Sequence, residues 1–431
     1  MKRYSAYKDS KVEWIGEIPD HWDMKRIKYI ANLIIEKAEN TTESVFKLAL
    51  ENIESHTGRW LHGNNSFEGV GNNFKKGDVL FNKLRPYLAK VMVAPSDGIA
   101  VGELLILRPN IDVDNCFLFY RLLSKSFIST IDGATYGAKM PRANWDMVGN
   151  LKVPTPNSLE QEKIGKYLDH KTHLIDILIE KKQKQIELLQ EQRAAIINQA
   201  VTKGLNPNVK MKDSGIEWLG EVPEHWTISS TKYVADQRTG HTPSRQHPEY
   251  WVDCTIPWFT LADVWQLRDG RKEYVEQTKE RISKFGLDNS SAELLPTGTV
   301  IVSRTASVGF SGIMAVPMAT TQDYINWVCG PKIKPEYLLY VFRCMKQEFM
   351  RLIMGSTHKT IYMPDARSFR TPVPPIEEQE KIVEFIRQKI KKIWEIEDRL
   401  NKSVENLREY RTTLISEAVT GKIDVRDEAI P

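Results

Sequence analysis

Hydrophobic positions follow two regimes along this chain. Over residues 175–200 and again over 386–414, apolar side chains recur at steps of three and four. The later row is Ile386, Ile390, Ile393, Leu400, Val404, Leu407 and Leu414, with Glu397 and Arg411 filling its gaps. The earlier row is Ile175, Ile179, Ile186, Leu189, Ile196 and Ala200, interrupted by Lys182 and Arg193. That spacing, sustained over several turns without Gly or Pro, is a coiled-coil seam. Pro154 and Pro156 precede the first row, and Pro372, Pro374 and Pro375 the second, where proline marks a helix start. Gly204 and then Pro207 stop the first helix. Each helix then spans about 40 residues, roughly 60 Å at 1.5 Å per residue. A single helix of that length must cover its apolar stripe. The cheapest cover is the other copy, packed as an antiparallel coiled coil.

The remaining chain reads as short strands with some helix. Lys75 to Leu88 (KKGDVLFNKLRPYL) and Pro296 to Gly309 (PTGTVIVSRTASVG) each give a Gly-containing turn followed by apolar alternation. Helical segments are expected around Phe117 to Ile128 and Tyr337 to Met350. Each body is therefore predicted as α+β, a small twisted sheet with flanking helices.

Self-similarity decides the architecture. Lys8 to Trp22 reads KDSKVEWIGEIPDHW and Lys212 to Trp226 reads KDSGIEWLGEVPEHW, identical at ten of fifteen positions in a register of 204 that continues into Lys28-Tyr29 and Lys232-Tyr233. A second block, Leu151 to Ile164 (LKVPTPNSLEQEKI), aligns with Phe369 to Ile382 (FRTPVPPIEEQEKI) in a register of 218, as does Ile197 to Gly204 with Ile415 to Lys422. Between these blocks the copies diverge. Each half is a repeated frame around a variable body: an internal tandem duplication.

Size and charge add limits. At 431 residues, 41% apolar and 27% charged, the chain can fill two or three globular cores. A formal charge of +4, from 60 basic and 56 acidic residues, neither demands nor excludes nucleic acid. Cys116, Cys254, Cys329 and Cys344 are scattered without CxxC spacing, as expected of reduced, buried thiols rather than a disulfide frame or metal site. The first residues carry no apolar leader, and no stretch approaches a membrane span. A soluble, cytoplasmic protein without membrane contact is expected.

These blocks resemble the specificity subunits of type I restriction-modification systems. The KDSGIEWLGEVPEHW opening, the PPIEEQEKI helix start and the SEAVTGKIDVR ending (Ser416 to Arg426) are each familiar there, and the likeness covers the whole chain, twice over. In that family, two variable target-recognition domains alternate with two conserved helices. The resemblance implies readers at 1–157 and 204–376, spacer helices at 158–203 and 377–421, and a tail at 422–431. It implies double-stranded DNA, two methyltransferase subunits and restriction subunits as partners. No cofactor is expected in this chain; S-adenosylmethionine, ATP and magnesium are expected on the partner subunits. The plan is physically coherent. A rigid spacer between two unlike readers turns helix length into the gap of an asymmetric bipartite target, and repeated frames offer equivalent docking to two identical partners.

Base readout needs forked or amide donors, with positive charge on phosphates. In the first body the best cluster is Gly133 to Trp145, with Tyr136, Lys139, Arg142 and Asn144; in the second it is Gly355 to Ala366, with His358, Lys359 and Tyr362. The Met-Pro pairs Met140-Pro141 and Met363-Pro364 tie the two together. A further cluster, Arg238 to Trp251, offers Arg238, His241, Ser244 and Arg245, and its Gly240 to Ser244 stretch is similar to a Gly-x-Thr-Pro-Ser segment of the family. Lys83, Arg85 and Arg304 follow the shared strand-turn and can reach phosphates. For each cluster the alternative is solvated surface or a structural turn. His21 and His225, each beside a Trp, are expected to pack and cap rather than catalyse. Lys182 and Arg193 are expected to snorkel from the seam, with partner contact as the alternative.

No Walker-type GxxxxGK[ST], Asn-Pro-Pro-Tyr, Gly-x-Ser-x-Gly or Pro-Asp…Glu-x-Lys pattern is present. Catalysis is therefore expected in partner subunits. Two rival classes remain: an enzyme, which activity of the isolated chain on DNA would favour, and a coiled-coil scaffold, which absent or sequence-independent DNA binding would favour.

Overall fold

A computed structural model describes residues 2–39, 46–63, 67, 70–135, 140–353 and 360–429. It divides into two compact units, Met1–Lys184 with Leu400–Pro431, and Gln185–Arg399. Each holds one body and part of each long helix.

In the first unit an antiparallel sheet runs in the order Ala31–Ile34, Leu104–Pro109, Val79–Asn82, Val91–Val93. The predicted alternation in 79–82 is not one of exposure, since all four residues are buried. The sheet is covered on both faces. Val79 and Phe81 join the core with helices Asn115–Leu123 and Lys125–Gly133, whereas Leu80, Leu104 and Ile106 face a separate cluster with Leu48, Phe74 and Ala100. That second cluster is closed by a four-stranded sheet, Lys37–Glu39, Val70–Phe74, Gly98–Ala100 and Lys47–Leu48, whose last pairing is parallel. The turn into the central strand places Gly77 at φ 88°, a conformation disfavoured for residues with a Cβ.

The second unit repeats this plan with different residues. Its sheet runs Ala235–Thr239, Tyr324–Cys329, Val300–Ser303, Ser311–Met314, then Tyr274–Val275. Gly298 (φ 85°) makes the equivalent turn. Val300 and Val302 pack with helices Pro335–Cys344 and Lys346–Ile353, while Ile301 enters an opposite cluster with Phe259, Met314 and Tyr324. A parallel pairing recurs between Ile256–Phe259 and Ala319–Thr320.

The repeated frame has a defined job: it fastens each body to a long helix. In the first unit Asp23–Arg26 pairs with Lys152–Thr155, and in the second Thr227–Ser230 pairs with Arg370–Val373. The buried Gln161 amide donates to Pro156 O (2.8 Å) and Asp112 O (3.4 Å) and accepts from Asp114 N (3.1 Å). Gln379 does the same with Pro374 O (2.9 Å), Lys332 O (3.0 Å) and Lys334 N (2.9 Å). His21 and His225 sit 2.9 Å from Glu160 and Glu378, and Glu160 also accepts from Tyr4 and Trp22. The histidines join frame to helix.

The long helices are Ser158–Lys203 and Ile376–Val419. Within each unit their segments pack antiparallel: Asp176 meets Arg411 in the first, where Lys163 also reaches Arg426 O just past the second helix, while Arg193 meets Glu397 in the second. Ile175, Ile179, Val404 and Leu414 share the first unit's core with half-buried Leu407, and Ile386, Ile390, Ile197 and Ala200 share the second's. Ile393 is buried, and Ile186, Leu189, Ile196 and Leu400 are half-buried. The polar gaps are filled rather than bare. Arg411 bonds Asp176 (3.0 Å) and His56 O (2.9 Å), and Arg193 turns inward, 3.9 Å from Glu397 and over the Trp394 ring, instead of snorkelling. Lys182 is half-buried. All four cysteines are free, and burial pushes the Cys116, Cys329 and Cys344 thiols up to about 12, which makes them unreactive.

Candidate nucleic-acid interface

In each unit, the loops singled out above meet at one end of the central sheet. The first unit joins Lys83–Arg85 to the 140–144 segment: Ala143 N donates to Lys83 O (2.8 Å), Arg85 N donates to Pro141 O (2.8 Å), and Leu84 bridges Arg142. Lys83 N donates to Glu103 O (3.1 Å), and the exposed Arg142 guanidinium pairs with the Glu103 carboxylate (2.7 Å). Arg85 is held at φ 52°, a strained value for a residue with a Cβ. Asn144 caps helix Trp145–Asn150, its side-chain carbonyl accepting from Met147 N (2.9 Å).

The second unit makes the same backbone joints with other side chains. Ile361 N donates to Arg304 O (2.9 Å), Thr305 bridges Thr360, and Arg304 N donates to Asp323 O (2.8 Å). Ala306 takes the left-handed place of Arg85, at φ 58°. The half-buried Arg304 keeps its Nε without a hydrogen-bond partner among the described residues. Tyr362 stands exposed at the cap of helix Met363–Arg367. Tyr136, Lys139, His358 and Lys359 lie outside the described residues.

These joints correct one expectation. The bridges align Arg142 with Thr360 and Asn144 with Tyr362, a register of 218, whereas equating the Met-Pro pairs requires 223. Met140-Pro141 lies in the loop before its bridge, while Met363-Pro364 begins a helix. The two pairs are not equivalent.

The Gly240 to Ser244 stretch joins the same end of the second sheet. His241 N donates to Thr320 O (3.0 Å) and Thr242 Oγ1 to Gln322 (2.8 Å). A Cβ on Gly240 would stand 2.2 Å from Thr320 O, so only glycine allows this approach. His241 and Ser244 are exposed. Arg238 pairs with Asp236 (2.6 Å) and Glu293 (3.4 Å), and Arg245 with Glu280 (3.0 Å) while stacking on Trp251 at 4.5 Å. Four segments thus converge: 239–244, 303–306, 320–323 and 360–362.

Sequence reasoning missed Glu103, Gln322 and Asp323, the turn that buttresses each loop pair. The only signal, for Glu103 and Asp323, is an acid just before a buried strand, which means little until strand order is known. No group of three or more potential metal ligands occurs among the described residues.

The family model for the type I restriction modification DNA specificity domain matches residues 19–188 and 223–406, once in each half. The chain belongs to the type I restriction-modification specificity family. Among its relatives, the type I restriction enzyme MjaVIII specificity subunit of Methanocaldococcus jannaschii is 25% identical over 329 residues, 73% of this chain and 72% of that one. A chain from a structure describing complex assembly and conformational transition of the type I R-M system matches at TM-score 0.74 and 17% identity, covering 94% of this chain and 99% of that one. The HsdS subunit from Thermoanaerobacter tengcongensis matches at TM-score 0.54 and 17% identity, covering 94% and 98%. The likeness is one of fold, and in this chain that fold is two mixed α/β domains and two long helices.

Proposed function

We propose that this member of the specificity family supplies the DNA address of a type I restriction-modification complex and carries no catalytic site. Each body reads one half of an asymmetric bipartite site through the loops at its sheet end. The repeated frames dock two methyltransferase subunits, and restriction subunits join for cleavage. S-adenosylmethionine, ATP and magnesium belong to those partners. The observation that carries this reading is a pair of loop ends with the same backbone joints and different side chains: Lys83, Arg85 and Arg142 in one, Arg304, Ala306 and Thr360 in the other. An identical scaffold with unlike donors is what two different half-sites require.

The test is a methylome. The chain is expressed with its modification subunit in a methylation-deficient host, and modified bases are read genome-wide. Two unlike half-sites around a fixed gap are expected, and replacing the second body should change one half-site only. A stable complex with no split motif would point to a scaffold, and activity of the isolated chain on DNA to an enzyme.

A further inference from the structure

Repetition across two otherwise divergent halves shows which surface residues are held by something common to both. Most repeated positions are explained by packing: Trp22 and Trp226 are buried, and Gln161 and Gln379 lock the helix starts. The Lys-Tyr pair is not. Tyr29 is 63% exposed and Tyr233 73%, although both lie in otherwise well-packed frames. Each stands on a short 3-10 turn, Ile27–Tyr29 or Thr231–Tyr233, with its lysine over the ring at 5.6 Å and 5.1 Å. Among the described residues, neither the core nor the loops use these side chains.

A cation lies beside each pair and also recurs. Lys152 and Arg370 occupy the same place in the frame strands, both exposed, beside Ile27 and Thr231, whose amides donate to Leu151 O and Phe369 O. In the first unit Lys152 lies directly across from Arg26. Like charges so placed are destabilising unless something opposite in sign approaches them. Among the described residues, Arg26, Lys28, Lys152, Lys232 and Arg370 form no ion pair; at the loop ends Lys83, Arg85 and Arg304 form none either, while Arg142, Arg238 and Arg245 are paired with carboxylates.

The position separates this patch from the reading loops. Tyr233 leads into strand Ala235–Thr239, and Gly240 with the converging loops lies beyond its other end. At about 3.3 Å per residue, the five-residue strand puts roughly 16 Å between them. Tyr29 is related to strand Ala31–Ile34 in the same way. DNA held at the loops leaves the patch on the far end of the sheet.

We infer that Lys28-Tyr29 with Lys152, and Lys232-Tyr233 with Arg370, form two equivalent docking surfaces for an acidic face of one protein bound twice, the modification subunit. The inference rests on the docking role proposed above and names its surface. Exposed tyrosine supplies contact area at little entropic cost, and unpaired cations supply complementarity and encounter rate. The identity of the pair in both frames is what two copies of a single partner require.

The experiment is native mass spectrometry of the full chain with its modification subunit, with affinities from titration. Lys28→Glu/Tyr29→Ala should remove one copy, Lys232→Glu/Tyr233→Ala the other, and the combination both, each site weakening roughly tenfold or more. Lys28→Arg/Tyr29→Phe should retain two copies, and unchanged thermal melts of all variants separate docking from folding. Two copies at wild-type affinity in the combined variant overturn the inference. So does intact stoichiometry with weaker DNA binding and a shallower salt dependence, which assigns the patch to the phosphate backbone. A wild-type chain that reads a split DNA site yet binds no copy defeats the docking role itself.

Discussion

The two sheet ends repay comparison. Each is closed by the same two backbone joints, one to the residue after the central strand and one to the bridge beside it, yet their side chains have little in common. The first presents Lys83, Arg85 and Arg142 with Glu103, and the second presents Arg304, Ala306 and Thr360 with Asp323 and the Gly240 to Ser244 stretch. The frames behind them differ in the opposite sense, since Gln161 and Gln379 make the same three bonds. Positioning is conserved in backbone and frame. The side chains at the loop ends are what differs between the two, and the proposed reading assigns target identity to them.

If that division is right, frame variants should alter stability but not target, and loop variants the reverse. The largest loss is expected from Arg411→Ala, which strands the partly buried Asp176 carboxylate; chemical denaturation should register about 3–5 kcal/mol with the methylated motif unchanged. The Arg193–Glu397 pair, at 3.9 Å, should matter less. Next come Gln161→Ala and Gln379→Ala, each leaving buried backbone groups unpartnered at a cost of about 2–4 kcal/mol. Similar values for the two would sharpen the comparison, and a large inequality would break it.

Gly240→Ala tests the boundary between the classes. The clash with Thr320 O should cost about 1–3 kcal/mol and weaken recognition of the second half-site alone, read by binding to DNAs altered in either half. The smallest effect on stability is expected from Arg142→Ala. Its exposed pair with Glu103 contributes under about 1 kcal/mol, yet affinity for the first half-site should fall roughly tenfold. Equal weakening at both half-sites would assign Arg142 to a general phosphate contact.

The frame was legible in the sequence because it is written twice and its buried positions follow one period. The seam from Ile386 to Leu414 could be read directly, since helix burial depends on local spacing. Non-local geometry was less accessible. The Met-Pro equivalence failed because loop register is set by pairing with a strand far away in sequence, Leu84 with Arg142 and Thr305 with Thr360. Glu103 and Asp323 stayed hidden for the same reason. Arg193 defied its expected route to solvent because Glu397 and Trp394 offer charge and a ring inside the seam. The loop residues could be nominated by chemistry, but only strand order brings 239–244, 303–306, 320–323 and 360–362 together.

The division of the long helices also fixes an order of events during synthesis. The second unit is one continuous stretch, Gln185–Arg399, and has all its residues once that stretch has left the ribosome. The first is discontinuous: its core includes Leu414, Ile415, Ala418, Val419, Ile423 and Val425. Its earlier part, made before the second unit, must wait for residues made after it. At roughly 5–20 residues per second, that wait is on the order of tens of seconds. Throughout it, the apolar face of Ile164, Leu168, Ile175 and Ile179 lacks its final cover, the interval in which a nascent chain is open to chaperones and to premature association.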